Sequence, residues 1–472
     1  MTTNTSTACG GTSVGAIWRF AAACLRRTRR LPGTITLAGI IAGSSAAAPA
    51  DRPPNIVFIL ADDLGWTDVG FHGGTAPTPH LDRLAREGME LTQHYVAPVC
   101  TPTRVGFLTG RYWSRFGVFT VVTTRSLPWD TTTLPVALKS VGYETALMGK
   151  WHLGSKPEWG PNHFGFDHSY GSLGGGVGPY DHFYKKGNYS QTWHRNEQLI
   201  TEEGHVTDLI ANEAVEWIKA RRNAPFFLYL PFTAVHLPIK EPAVWLDKVP
   251  ATITGEVARH YAACLMHLDD AVGRVVAAVN GAGQRSNTLI VFTSDNGGSR
   301  VENNDTAYPD DNYPRGRLGG NNAPLRGEKG SVYEGAIRVP AIANWPGRLT
   351  PGKMLHPMQI IDWMPTLSAL AGYQPQKNLK WDGLNVWPLV SGQARNAAPR
   401  TLYTPFVRGT AIRDGDWKLV VAAGSEKAEL FDLSHDPSET NDLASKLPER
   451  VQALRQRLAE VAQADRDAVV RN

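Results

Sequence analysis

The chain has 472 residues, 42% hydrophobic and 19% charged, which excludes a disordered, collagen-like or bilayer-embedded protein and allows a large core and two to three domains. Its 48 basic and 44 acidic residues give a net charge of +4, but Arg19, Arg26, Arg27, Arg29 and Arg30 fall within the first 50 residues, which hold no acid. The remainder carries 43 basic against 44 acidic residues, so the basic balance is no argument for a nucleic-acid partner.

Arg26 to Arg30 form a basic cluster, Thr34 to Ala42 a short apolar run, and Ala48-Pro49-Ala50 a small-x-small pattern. This is the order of a secretory leader, so residues 1–50 are expected to be removed and the chain exported, to the periplasm or outside the cell. No later run is long and apolar enough to span a bilayer. Of four cysteines, Cys9 and Cys24 leave with the leader; Cys100 and Cys264 remain, too few for a disulfide framework.

Asn55 to Ala61 is a continuous apolar run of strand length, as suits a strand buried on both faces of a parallel sheet, and it runs into Asp62-Asp63. Leu81 to Glu87 reads as a short helix. Cys100 to Arg104 precedes the apolar turn Val105 to Thr109, with Thr101 a plausible N-cap and Pro102 a first helical residue. Cys100 would sit at the positive end of that helix, one turn from Arg104; it reads either as a low-pKa thiol nucleophile or as a buried cysteine without a role. Leu134 to Val141 reads as helix. Tyr143 to Met148 is a second buried strand, leading to Gly149, Lys150 and His152. The glycine-rich stretch Gly171 to Gly178 joins no clear strand to a helix, which favours a mobile loop over a phosphate cradle. His205 to Ala220 is helical, Pro225 to Leu230 a third strand leading to His236, and Glu256 to Val279 a longer helix that places Cys264 in the core. Thr288 to Thr293 is a fourth strand, followed by Ser294, Asp295, Asn296 and two glycines. Strands alternating with helices predict an α/β layered domain over 51–388 with a mostly parallel sheet. Beyond Pro388, short strands at Thr401 to Val407, Thr410 to Arg413, Trp417 to Ala422 and Glu429 to Asp432, then a helix from Leu447 to Ala464, predict a small antiparallel subdomain over 389–472.

The polar residues after the buried strands should converge at the carboxyl edge of the sheet, where open α/β folds place their sites. Asp62, Asp63, Asp295 and Asn296 are oxygen donors without a histidine or thiolate set among them. That pattern favours a hard divalent cation, calcium before magnesium, over zinc. Arg104, Lys150 and Lys329 would bind a tetrahedral oxyanion beside it.

The motif CTPTR at 100–104 followed by LTGR at 108–111 resembles the signature of type I sulfatases, and GKWHLG at 149–154 matches their second signature. Asp62-Asp63, SDNGG at 294–298 and GEKGSVYEGAIRVP at 327–340 match in the same order, and the resemblance runs from about Pro54 past Asp442. It implies an alkaline-phosphatase-like fold and a sulfate-ester substrate, with a texture near arylsulfatases and N-acetylgalactosamine sulfate hydrolases. It also implies that a formylglycine-generating enzyme converts Cys100 to formylglycine, whose hydrate attacks sulfur and whose sulfated form is resolved by elimination. By the same resemblance, Asp62, Asp63, Asp295, Asn296 and modified Cys100 bind the metal, and Arg104 and Lys150 hold the diol. Lys329 and His236 contact the sulfate, and His152 takes a proton from the second hydroxyl. Thr103 stands where the family usually has serine. The rival readings are a phosphodiesterase or phosphonate monoester hydrolase on this scaffold, and a non-catalytic binder of sulfated glycans. The polar and aromatic stretches 178–196 and 299–326 could bind a sulfated sugar or be ordinary surface loops.

Overall fold

The computed structural model describes residues 52–470 apart from 222, 304–307, 310, 311 and 398. The expected leader, its cleavage site, Cys9 and Cys24 lie outside the described residues. Six strands build the part of the fold that carries the site: β1 (Asn55–Ala61), β2 (Glu144–Lys150), β3 (His168–Ser172), β4 (Phe226–Pro231), β5 (Thr288–Ser294) and β6 (Ala341–Asn344). They belong to a ten-stranded sheet, in which the run β5-β1-β4-β2-β3 is parallel throughout. β6 joins β5 antiparallel, and the short segments Met89–Leu91, Gly352–Met354, Trp193–Arg195 and Gln198–Leu199 complete the two ends. The sheet is therefore parallel at its centre and mixed at its margins.

β1 explains why the apolar runs were readable. All seven of its residues are buried. Ile56, Phe58 and Leu60 face one core with Phe107, Trp113 and Trp363, while Val57, Ile59 and Ala61 face the other. A strand covered on both faces has no reason to alternate polar residues.

Six helices matter here: α1 (Pro79–Arg86), α2 (Cys100–Thr109), α3 (Leu134–Lys139), α4 (Val206–Lys219), α5 (Glu256–Gly281) and α6 (Pro448–Ala462). Along α5, Val257, Tyr261, Cys264, Leu265, Leu268, Val272, Val275 and Val279 are buried, three and four residues apart, against Ile210, Ala214 and Ile218 of α4. Cys264 is thus a core residue. α2 lies in the opposite layer, with Val105, Phe107 and Leu108 in the core that holds Phe58. None of the described helices is long and apolar enough to cross a membrane.

A separate antiparallel sheet follows: β7 (Thr401–Phe406), β8 (Gly409–Asp414), β9 (Trp417–Ala422) and β10 (Ala428–Asp432), in that order. One face packs on α6 through Ile412, Leu419, Leu430 and Leu454. The other packs Phe406, Ala411, Val420 and Phe431 against Val99 and Val332, the first next to Cys100 and the second three residues after Lys329. Lys418 of β9 is buried between Glu334, at 2.9 Å, and Glu439, at 2.8 Å. The C-terminal sheet therefore braces two segments that carry site residues.

Two expectations are corrected. Thr101 does not cap α2: the helix begins at Cys100, Val99 holds the N-cap position, and the Thr101 hydroxyl donates to the His152 carbonyl at 3.2 Å. The stretch Gly171 to Gly178, expected as a mobile loop, is packed into the fold. Gly171 pairs within β3, and residues 173–178 are buried over the site.

Candidate active site at the carboxyl edge of the sheet

β1 and β5 are in register through Ala61 and Ser294, so Asp62-Asp63 and Asp295-Asn296 leave adjacent strands side by side. β2 ends in Lys150, and His152 follows. α2 points its first residue, Cys100, at the same place. One ligand atom from each of Asp62, Asp63, Cys100 and Asp295 lies within 4.8 Å of the others, and all four residues are buried.

Each carboxylate faces a cation. Lys150 Nζ is 2.5 Å from Asp62 Oδ2, Arg104 Nη2 donates to Asp295 Oδ2 at 2.7 Å, and Lys329 Nζ sits 2.6 Å from Asp63 Oδ1. Arg104 also donates through Nη1 to the Lys150 carbonyl at 2.5 Å. Cys100 Sγ lies 3.6 Å from Asp62 Oδ1. His236 Nε2 is 3.9 Å from Asp63 Oδ2. Asn296 donates to Asp63 Oδ1 at 2.8 Å, which leaves its Oδ1 buried without a hydrogen-bond partner. Thr103 holds the helix to the cluster: its hydroxyl donates to the Asp295 carbonyl at 2.6 Å and accepts from the Ala97 amide.

Burial, then the Asp295 charge, raise the Asp62 carboxyl to about 7 despite Lys150. Asp63 is buried too, but Lys329 and His236 outweigh that cost and hold it at about 2. The Cys100 thiol is pushed up to about 12, first by burial and then by Asp295. Burial first, and Asp295 after it, thus act against the low-pKa thiol reading. His152 and His236 are both held well below the ordinary imidazole range, by burial first and then by Lys150 and Lys329 respectively. His152 is thus a neutral ring, and its buried Nδ1 has no hydrogen-bond partner.

The backbone is bent to reach this arrangement. Asp63 (φ 65°) and His152 (φ 60°) occupy the left-handed region, uncommon for residues with a side chain. Gly149 has φ 132°, and a Cβ there would lie 2.0 Å from the Pro231 carbonyl oxygen. A Cβ on Gly175 would lie 2.3 Å from His152 Nε2. The glycine-rich segment is thus the wall against which His152 rests.

All the candidate residues named from the sequence meet in this one place. A second cluster was missed: His205, Glu241 and His267 also gather within 4.8 Å of one another, and all are buried. They come from two helices and the segment after β4, with no spacing that would betray them.

Residues 54–373 match the family model described as Sulfatase, and residues 327–464 match that of the N-sulphoglucosamine sulphohydrolase C-terminal region. Arylsulfatase J of Mus musculus is 32% identical, with 89% of this chain and 79% of that protein covered. N-acetylgalactosamine-6-sulfatase of Rattus norvegicus is 34% identical over 82% of this chain and 73% of its own length. Among solved structures, Ps i-CgsB in complex with k-i-k-neocarrahexaose is similar with a TM-score of 0.79 and 32% identity, covering 88% of this chain and 94% of that one. With the family model covering the sheet, α2 and every residue of the charge cluster, the chain belongs to the sulfatase family.

Proposed function

We propose that this protein hydrolyses sulfate monoesters, of aryl alcohols or of saccharides, after export and after conversion of Cys100 to formylglycine by a formylglycine-generating enzyme. The observation that carries the reading is the one-to-one facing of Lys150, Lys329 and Arg104 with Asp62, Asp63 and Asp295 around Cys100. With each of the three carboxylates engaging a lysine or arginine, those cations are held away from a substrate anion. A divalent metal taken up by the carboxylates would release them. The unpartnered Asn296 Oδ1 and the all-oxygen protein donors fit calcium, with magnesium second. The ligands would be Asp62, Asp63, Asp295, Asn296 and modified Cys100; when bound, the metal supplies positive charge that acidifies an oxygen nucleophile and stabilises a sulfuryl group.

A thiol with a pKa near 12 is a poor nucleophile at neutral pH, which agrees with a chemical change at residue 100. Hydrated formylglycine supplies a geminal diol, one hydroxyl of which attacks sulfur while the other remains to expel sulfate. Arg104 and Lys150 orient that diol. Lys329 and His236, less buried than the Asp63 carboxylate they both face, contact the sulfate, with His236 beside the leaving oxygen. His152, neutral and free at Nδ1, takes the proton from the second hydroxyl.

An aryl sulfate should be turned over far faster than an aryl phosphodiester, and Cys100→Ala should abolish turnover while the protein still folds. The reverse preference, measured by phenol release on one preparation, would point to the phosphodiesterase reading. Binding of sulfated glycans with no turnover would point to a lectin-like role.

His152→Ala should attack substrate but not recover: phenol release should reach at most a single equivalent per active site and stall. Steady turnover near the parent rate would remove His152 from proton abstraction. No burst at all would place it in the attack step.

Metal removal has a pH signature. Asp62, raised to about 7, keeps its proton in the folded metal-free protein where an unfolded carboxyl has lost it, from pH of about 4 upward. Its stabilising contribution is lost as pH rises through about 7. A cation must displace that proton to bind. The rise in melting temperature on adding calcium to chelated protein should therefore grow between pH 5 and about 7 and then level off. A calcium effect independent of pH would contradict this.

A further inference from the structure

The cluster missed by sequence reading lies on the far side of the loop that carries His236. His205 stands at the N-cap of α4, His267 in the middle of α5, and Glu241 five residues beyond His236. His205 Nε2 is 3.4 Å from Glu241 Oε1, and His267 Nδ1 is 2.8 Å from Glu241 Oε2. His267 is fully enclosed, and His205 and Glu241 are 5% and 4% exposed. Neither His205 Nε2 nor His267 Nε2 finds a partner in hydrogen-bond geometry. A cavity of about 20 Å³, lined by His205, Glu241, Cys264 and His236, adjoins the group. That is room for about one water molecule.

We propose that His205, Glu241 and His267 bind a zinc ion. Two imidazoles and one carboxylate are a zinc donor set, unlike the all-oxygen protein set around Asp62. The ligand atoms would be His205 Nε2, His267 Nδ1 and the Glu241 carboxylate, with water from the cavity in the fourth position. The 3.4 Å between His205 Nε2 and Glu241 Oε1 already matches the separation of about 3.3 Å that tetrahedral bonds of about 2.0–2.1 Å impose. The outer partners agree. Asp208 Oδ1 lies 3.3 Å from His267 Nε2 and is itself held by Arg274 at 2.8 Å. His267 Nδ1 now donates to Glu241 Oε2 at 2.8 Å; when the metal takes that proton's place, Asp208 is the carboxylate beside which the remaining ring proton stays, on Nε2. The Glu241 amide donates to His260 Nδ1 at 2.9 Å, which fixes the backbone of the third ligand. Binding through His205 Nε2 moves that ring's proton to Nδ1, so the long 3.3 Å contact from the Thr207 amide is given up. The competing occupant is a proton, which would make His267 an imidazolium between Glu241 and Asp208; zinc displaces it. Bound there, the metal ties α4 and α5 to the segment bearing His236, and so positions that residue. The site stands independently of the reaction proposed for the Asp62 cluster.

The test uses the full-length protein stripped of metal. Wild type should bind one zinc per chain with a dissociation constant below about 1 μM, beyond any cation at Asp62. Cobalt in its place should give the intense visible bands of a tetrahedral site, without thiolate charge transfer. His205→Ala and Glu241→Gln should lose that ion, while Asp63→Asn and Cys264→Ala keep it. Wild type that takes up no zinc at micromolar concentration overturns the proposal. So does zinc lost in Asp63→Asn but retained in His205→Ala. Should either cluster variant fail to fold, the wild-type cobalt spectrum decides: octahedral or thiolate bands refute the assignment.

Discussion

Three carboxyl groups and three cationic side chains lie together at one edge of the central sheet, and the rest of the molecule is arranged around holding them there. Asp62, Asp295, Arg104 and Lys150 are wholly enclosed, and Asp63 is 1% exposed. Burying charge is costly unless each ion has a partner, and removing one partner of such a pair is more costly still. Every ion of this group meets its counterpart within 3 Å. The left-handed backbone at Asp63 and His152 and the absence of a side chain at Gly149 are local concessions to that packing.

Parallel strands are the means of assembly. Because β1, β2, β4 and β5 run the same way, four chain segments distant in sequence deliver their polar ends to one place. α2 brings Cys100 and Arg104 from the layer above, and Thr103 locks that helix to the Asp295 carbonyl. The family's usual serine at this position would offer the same hydroxyl, so Thr103 keeps the contact and adds a methyl within a buried pocket. The C-terminal sheet is part of the same construction. Its packing on Val99 and Val332, with the buried Lys418 between Glu334 and Glu439, fixes the two approaches to the cluster.

The central strands could be read from the sequence because burial on both faces leaves an uninterrupted apolar run, as in β1 and β5. The helices α4 and α5 were equally legible through their spacing of buried residues. Edge strands such as Gly352–Met354 and Gln198–Leu199 were not, since two or three residues carry no pattern. The start of α2 was misplaced because a threonine before a proline signals a cap, whereas here its hydroxyl is engaged by His152. The Cys100 thiol was open to misreading for a similar reason: the helix terminus is visible in the sequence, whereas the burial that raises the thiol, and the Asp295 and Asp62 carboxylates beside it, from 195 and 38 residues away, come only with the fold. The His205, Glu241 and His267 group could not be found at all without the fold.

The central claim is that residue 100 works as an aldehyde hydrate and not as a thiol. The most direct measurement is the mass of the peptide containing Cys100 from protein active on an aryl sulfate, with and without a carbonyl-reactive hydrazide. The account predicts a peptide in which the thiol has been replaced by an aldehyde that the hydrazide traps, in proportion to activity. Full activity in protein whose Cys100 peptide carries only the unmodified thiol would contradict it.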